Sequence, residues 1–198
     1  MKRPIMLWIT SRSRSSMVSN IFIKHGVWWG NTVAKQKWVE DGKQQSYISY
    51  ENQKIKAMLK KYKDKHWKKV HMTPVFPVKG FAEDIAKITP ANKTWMMKTG
   101  VEYFNAFNEL TPYNIYIKRS PEGVAKSLST KRQDVVYKDA YDAAVWRFNY
   151  MDQLQEEFGG VSVDTDKIVD EDFSEVQAAI EYCELAFDLE KAKEAITR

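Results

Sequence analysis

The sequence predicts an α/β fold, an open parallel sheet in three layers with helices on both faces. Two observations carry this. Strand-length apolar runs alternate with helix-length segments along the chain, the pattern of parallel βαβ units. Right-handed crossovers then bring the carboxyl ends of all strands to one edge, and Ser11–Ser16, Lys98 and Arg119 each follow a predicted strand. Open sheets of this kind bind ligands at that edge.

Each element has its own signal. Five apolar residues in a row, Ile5-Met6-Leu7-Trp8-Ile9, predict a buried strand within 4–10. Met17, Val18, Ile21 and Phe22 resume at helical spacing, and His25-Gly26 closes a helix over 15–26. Residues 27–49 read as irregular. A helix over 50–65 follows, with Ile55, Met58, Leu59 and Tyr62 on its packed face. The run Lys54–Lys69 holds eight Lys and one Asp, which reads as the solvated face of that helix. Next come a strand over 68–72, a loop over 73–79, a helix over 80–88 and a strand over 94–98. A helix over 101–110 leads to the β-rich run Tyr113-Asn114-Ile115-Tyr116-Ile117, within a strand over 113–119. Pro121 suits the first turn of a helix over 121–131, and Glu122 suits its positive end. The remainder is a helix over 138–158, a strand over 160–164 and helices over 173–187 and 188–196. No repeat or interdomain linker is visible, so residues 1–198 form one domain.

The segment between the first strand and the first helix is Ser11-Arg12-Ser13-Arg14-Ser15-Ser16. Backbone N–H groups at a helix start are unpaired and carry partial positive charge, so they hold phosphate or sulfate. Ser15 and Ser16 add hydroxyl donors, while Arg12 and Arg14 add charge. The loop has neither Gly nor Lys, so it is not the G-x-x-x-x-G-K-S/T phosphate loop of ordinary kinases.

The order Arg12-Ser13-Arg14-Ser15-Ser16 after a strand resembles the phosphosulfate loop of sulfotransferases, Lys/Arg-Ser-Gly-Thr-Ser/Thr, with Arg14 in place of the usual Gly. A Gly there implies a turn with positive φ, which would strain Arg14. A second segment, Arg119-Ser120-Pro121-Glu122-Gly123-Val124-Ala125-Lys126-Ser127, is similar to the family's Arg-Asn/Asp-Pro-x-x-Val/Ala-x-x-Ser motif at the end of a later strand. Lys98-Thr99-Gly100 resembles the family's Lys-Thr-His segment, with Gly100 where the cytosolic enzymes carry their catalytic His. Gly160–Val169 resembles a short strand and turn near the family's C-terminus. Tyr50-Glu51-Asn52 resembles the end of a segment that follows the first helix in compact bacterial and phage-type members. Nothing resembles the Arg-Lys-Gly segment of the cytosolic enzymes, which leaves part of the adenosine site unassigned.

The resemblance implies a sulfotransferase-like, P-loop NTPase-like fold. It also implies transfer of a sulfuryl group from 3′-phosphoadenosine 5′-phosphosulfate (PAPS) to a hydroxyl or amine, releasing 3′-phosphoadenosine 5′-phosphate (PAP), without a metal. Arg12, Ser13, Arg14, Ser15 and Ser16 are then the phosphosulfate-binding residues, and Arg119 and Ser127 bind the 3′-phosphate. Arg12 and Lys98 are expected to meet the charge on the leaving phosphate, and Glu51 to act as the base on the acceptor. Among the three His, His25 ends a helix where a cation suits the dipole, which favours a structural role; His66 lies in the lysine run and His71 at a strand end.

The basic main body suits an anionic cosubstrate, nucleic acid or an acidic glycan. Residues 1–151 hold 27 Lys/Arg against 12 Asp/Glu, whereas residues 152–198 hold 4 against 14. The chain shows no nucleic-acid-binding signature, no secretory signal and no run long enough to span a bilayer. Its single Cys183 forms neither an internal disulfide nor a Cys-based zinc site and suits buried packing in a reducing cytoplasm. The acceptor is expected to be a small molecule or glycan; Val27–Ser49, with Trp28, Trp29, Trp38 and Tyr47, is the segment that could line its pocket. Two other readings stand beside this one: a nucleotide phosphotransferase with a degenerate loop, and a sulfonucleotide-binding protein without chemistry.

Overall fold

The computed structural model describes residues 2–30, 35–40, 43–48, 54–55, 57–59, 80–132 and 134–197. Its centre is a four-stranded sheet formed by β1 (Ile5–Ile9), β4 (Met96–Gly100), β5 (Tyr113–Lys118) and β6 (Val161–Asp164). The order is β4-β1-β5-β6 and every pairing is parallel. Trp28 extends the sheet past β4 through a single parallel bridge to Trp95.

Period-two alternation sorts the strand side chains between two cores. Ile5, Leu7, Met96, Ile115, Ile117 and Val163 face one side. They meet Val18, Ile21 and Phe22 of α1 (Ser15–Lys24), Val176, Ala179 and Ile180 of α7 (Ser174–Tyr182), and Ala192 and Ala195 of α8 (Leu189–Ile196). Met6, Trp8, Met97 and Tyr116 face the other side. Their partners are Phe81 and Ile85 of α2 (Phe81–Ile88), Phe104 and Phe107 of α3 (Phe104–Asn108), Val124 of α4 (Pro121–Lys131), and Ala144, Phe148, Met151 and Leu154 of α5 (Tyr137–Phe158). The three layers are therefore present. Each fully buried Leu, Ile, Met or Phe contributes about 1.5–3 kcal/mol relative to exposure. The one polar tip in the central strand is satisfied: Trp8 Nε1 donates to Asn114 Oδ1 at 2.9 Å.

Several boundaries differ from the sequence reading. Residues 27–49 are not all irregular: β2 (Lys35–Glu40) and β3 (Lys43–Ile48) form an antiparallel hairpin. β4 starts and ends two residues later than expected, so Lys98 lies in the middle of the strand rather than at its end. The helix expected over 101–110 is a 3₁₀ turn, Val101–Tyr103, followed by the short α3. A short helix that the sequence reading missed, α6 (Thr165–Val169), follows β6 directly. Residues 54–55 and 57–59 are helical; the rest of the lysine-rich helix and the strand expected over 68–72 lie outside the described residues. Among the described residues no helix is long and apolar enough to cross a membrane.

One consequence of the strand order positions the site. The chain leaves β1 into α1 on one face of the sheet, and leaves β5 into α4 and α5 on the opposite face. Neighbouring strands whose connections diverge in this way open a crevice between their carboxyl ends. Ser11–Ser16 and Arg119–Ser127 flank that crevice.

Candidate functional site

The turn from β1 into α1 is built without glycine. The Ser13 amide donates to the Thr10 carbonyl at 3.3 Å, and the Met17 amide to the Arg14 carbonyl at 2.9 Å. Arg12 has φ 67° and Arg14 has φ 56°, both left-handed, a conformation that costs a residue with a Cβ roughly 1–2 kcal/mol. The strain expected at Arg14 is present, and Arg12 shares it. No side chain caps α1, and its first turn contains no acid. The amides of Ser15 and Ser16 make no hydrogen bond with another described residue, so they remain available at the positive end of the helix. Ser13 is fully buried, and its hydroxyl has no partner among the described residues. A buried hydroxyl in that state costs about 1–3 kcal/mol, which a bound anion would recover.

Arg12 and Arg119 cross-link the two sides of the crevice. Arg12 Nε donates to Ser127 Oγ at 3.1 Å, and an Arg119 guanidinium N–H donates to the Arg12 carbonyl at 3.1 Å. Because the Ser127 hydroxyl accepts from Arg12, its own proton is left to donate elsewhere. Arg119, Gly123, Lys126, Ser127, Thr130 and Lys131 line a cleft of about 280 Å³ on α4. Three of those six residues carry positive charge. Gly123 makes room for one of them, since a Cβ there would stand 2.7 Å from both Arg119 Nε and Ser120 Oγ.

Asp166, in the first turn of α6, is the counter-charge. Its carboxylate pairs with Arg14, lies 3.5 Å from Arg119 Nε, and accepts from the Ser120 amide at 3.1 Å and the Ser120 hydroxyl at 2.8 Å. Burial by itself would raise the Asp166 pKa, but the Ser120 hydrogen bonds and the two guanidinium charges outweigh it and hold the carboxyl below its ordinary value. Arg119 moves down from the ordinary arginine range, first through burial and then through repulsion by Arg14, against the opposing pull of Asp166.

Lys98 is nearly buried and points to the face that carries α1, where its ammonium donates to Ser16 Oγ at 3.0 Å. It reaches the loop from below instead of from the strand end. His25 has a structural role, as the acceptor of a backbone amide rather than as the cation expected at the helix end. The Asp188 amide donates to His25 Nε2 at 3.1 Å, which leaves the proton on Nδ1, 2.7 Å from the Ile21 carbonyl, and the ring stacks on Phe187. Cys183 is buried, and burial pushes its thiol up to about 12.

The structure thus brings Arg12, Ser13, Arg14, Ser15, Ser16, Lys98, Arg119 and Ser127 to one edge of the sheet. Glu51, His66 and His71 lie outside the described residues. In the segment suggested for the acceptor pocket, Trp28 is committed to the sheet edge, and Trp38 and Tyr47 belong to the hairpin strands. Sequence reasoning missed the part played by Asp166, although a carboxylate one residue past a strand-to-helix junction, facing an arginine-rich loop, was a usable signal. It also missed Lys126 and Lys131, which extend the motif of Arg119 and Ser127 along the same helix. No protein-family model, curated protein or solved structure matches this chain.

Proposed function

We propose that this chain is a sulfotransferase that uses PAPS as donor, with a P-loop NTPase-like sheet whose phosphate loop is built from serine and arginine. The observation that supports it most is the convergence of Arg12, Arg119 and Ser127 between an anion-receptive helix start and a cationic cleft. An adenylate with charge at both its 5′ and 3′ positions fits two adjacent cationic sites; an ordinary adenylate would use one.

Each residue then has a task. Ser13, Ser15, Ser16 and the first amides of α1 receive the phosphosulfate. Arg12, with Lys98 behind Ser16, meets the charge that develops on the leaving phosphate. Arg119 and the outward proton of Ser127 receive the 3′-phosphate, flanked by Lys126 and Lys131. The donor supplies the activated sulfuryl group, and the protein orients it toward a small-molecule or glycan acceptor.

Calorimetry with PAP and AMP, in chelator, tests this reading. PAP is expected to bind tighter by roughly 2–4 kcal/mol, about 30- to 1,000-fold, from two or three charge-assisted bonds partly offset by water. Arg119→Ala should erase most of that preference, and Arg12→Ala should weaken both nucleotides and abolish transfer. Equal affinity of the wild type for PAP and AMP would overturn the proposal.

A further inference from the structure

We infer that Glu102 is the group that takes the acceptor's proton during sulfuryl transfer, an inference that rests on the donor reading above. Gly100, the last residue of β4, pairs in register with Ile9, the last residue of β1, so it stands beside the start of the Ser11–Ser16 loop. A Cβ on Gly100 would overlap the carboxylate of Glu102. That carboxylate therefore fills the space into which a side chain at position 100 would point. The strand period of two puts this space on the same face as Lys98. Lys98 donates to Ser16 in the first turn of α1, so Glu102 and the Lys98–Ser16 pair lie on one face of the sheet near the carboxyl ends of β1 and β4.

Gly100 has φ −70° and ψ 153°, an extended conformation open to any residue. Gly100 has no side chain, and the Glu102 carboxylate occupies the space one would take. Glu102 sits half-buried in the 3₁₀ turn and makes no hydrogen bond or ion pair with another described residue. Of the other described carboxylates of this edge, Asp166 is committed to Ser120, Arg14 and Arg119, Asp152 to Lys118 and Asp164 to the Asp166 amide, while Glu122 is exposed in the first turn of α4. A general base needs a carboxylate that is not already neutralised and that lies within reach of the reacting hydroxyl.

The step balances with the donor alone. The acceptor oxygen forms a bond to the sulfuryl sulfur, and the bond from sulfur to the nucleotide's phosphate oxygen breaks. The electron pair leaves on that phosphate, and the hydroxyl proton passes to Glu102, which releases it to solvent. The products are PAP and the sulfate ester.

The test combines PAP calorimetry, single-turnover release of sulfate from PAPS with water as acceptor, and carbon-13 titration of the Glu102 carboxyl. Glu102→Gln is expected to bind PAP as the wild type does and to slow sulfate release by about 100-fold or more, the scale of a lost general base. Formate should restore part of the rate to Glu102→Ala, which a merely structural residue would not show. Independently of turnover, PAP with inorganic sulfate should move the Glu102 carboxyl titration upward, because a neighbouring anion favours the protonated form. Unchanged turnover in Glu102→Gln, a titration indifferent to the anions, or loss of turnover in Glu51→Gln alone would each overturn the inference while leaving the donor reading intact. Failure of the wild type to bind PAP would remove both.

Discussion

The Arg119 guanidinium donates to the backbone carbonyl of Arg12 across 3.1 Å, so the end of β5 holds the shape of the loop that follows β1. A main-chain acceptor ties the side chain of Arg119 to the loop itself, whichever side chain stands at position 12. Asp166 closes the arrangement from β6 by pairing with Arg14 and approaching Arg119.

Gly123→Ala separates binding from stability. Alanine is the better helix former by about 1 kcal/mol, and the clashing atoms are the side-chain atoms Arg119 Nε and Ser120 Oγ, which can shift. The melting temperature is expected to hold or rise, while PAP affinity falls about tenfold through displacement of Arg119. Thermal melts and calorimetry on the same variant check this; an unchanged affinity would show that Arg119 does not depend on the space at Gly123.

At Arg14 a pair of substitutions isolates backbone strain. Arg14→Ala and Arg14→Gly both remove the pairing with Asp166, and only glycine relieves the left-handed conformation at φ 56°. Arg14→Gly is expected to be the more stable of the two by about 1 kcal/mol. Urea denaturation of both variants measures the difference. Equal midpoints would mean that the turn relaxes away from positive φ once the arginine is gone.

Asp166 links stability to pH. Its carboxyl is held below the ordinary value of about 3.9, so the folded state favours the ionised form. The resulting stability is fully present above the unfolded value and is lost as pH falls through the lowered folded value. The gap in urea midpoint between wild type and Asp166→Asn is therefore expected to be widest above about pH 4 and to close below it. A gap that widens toward acid would contradict the pairing with Arg14 and Arg119.

Much of this site was legible because its residues follow strands that announce themselves. Ile5–Ile9 is continuously apolar, and Arg119-Ser120-Pro121 marks a strand-to-helix junction by its proline alone. The hairpin was not legible: Lys35-Gln36-Lys37 and Lys43-Gln44-Gln45 lack the alternation that signals a half-buried strand. Lys98 misled the strand boundary because a lysine reads as a terminus, whereas here it is buried within β4 and its ammonium donates to Ser16. The relation between Gly100 and Glu102 belongs to the fold rather than to spacing. Two residues apart in sequence predicts no contact, and the 3₁₀ turn at Val101–Tyr103 creates one.

The left-handed turn at Arg12 and Arg14 has a further consequence. A glycine loop would carry its shape within itself; this one is held from outside, by Arg119 on the Arg12 carbonyl and by Asp166, on the short helix behind the sheet's rim strand, on Arg14. On the proposed donor reading, an anion that tightens the loop would also tighten the rim. Slow hydrogen exchange induced by a nucleotide would accordingly spread to the β6–α6 junction, a segment that need not touch the nucleotide.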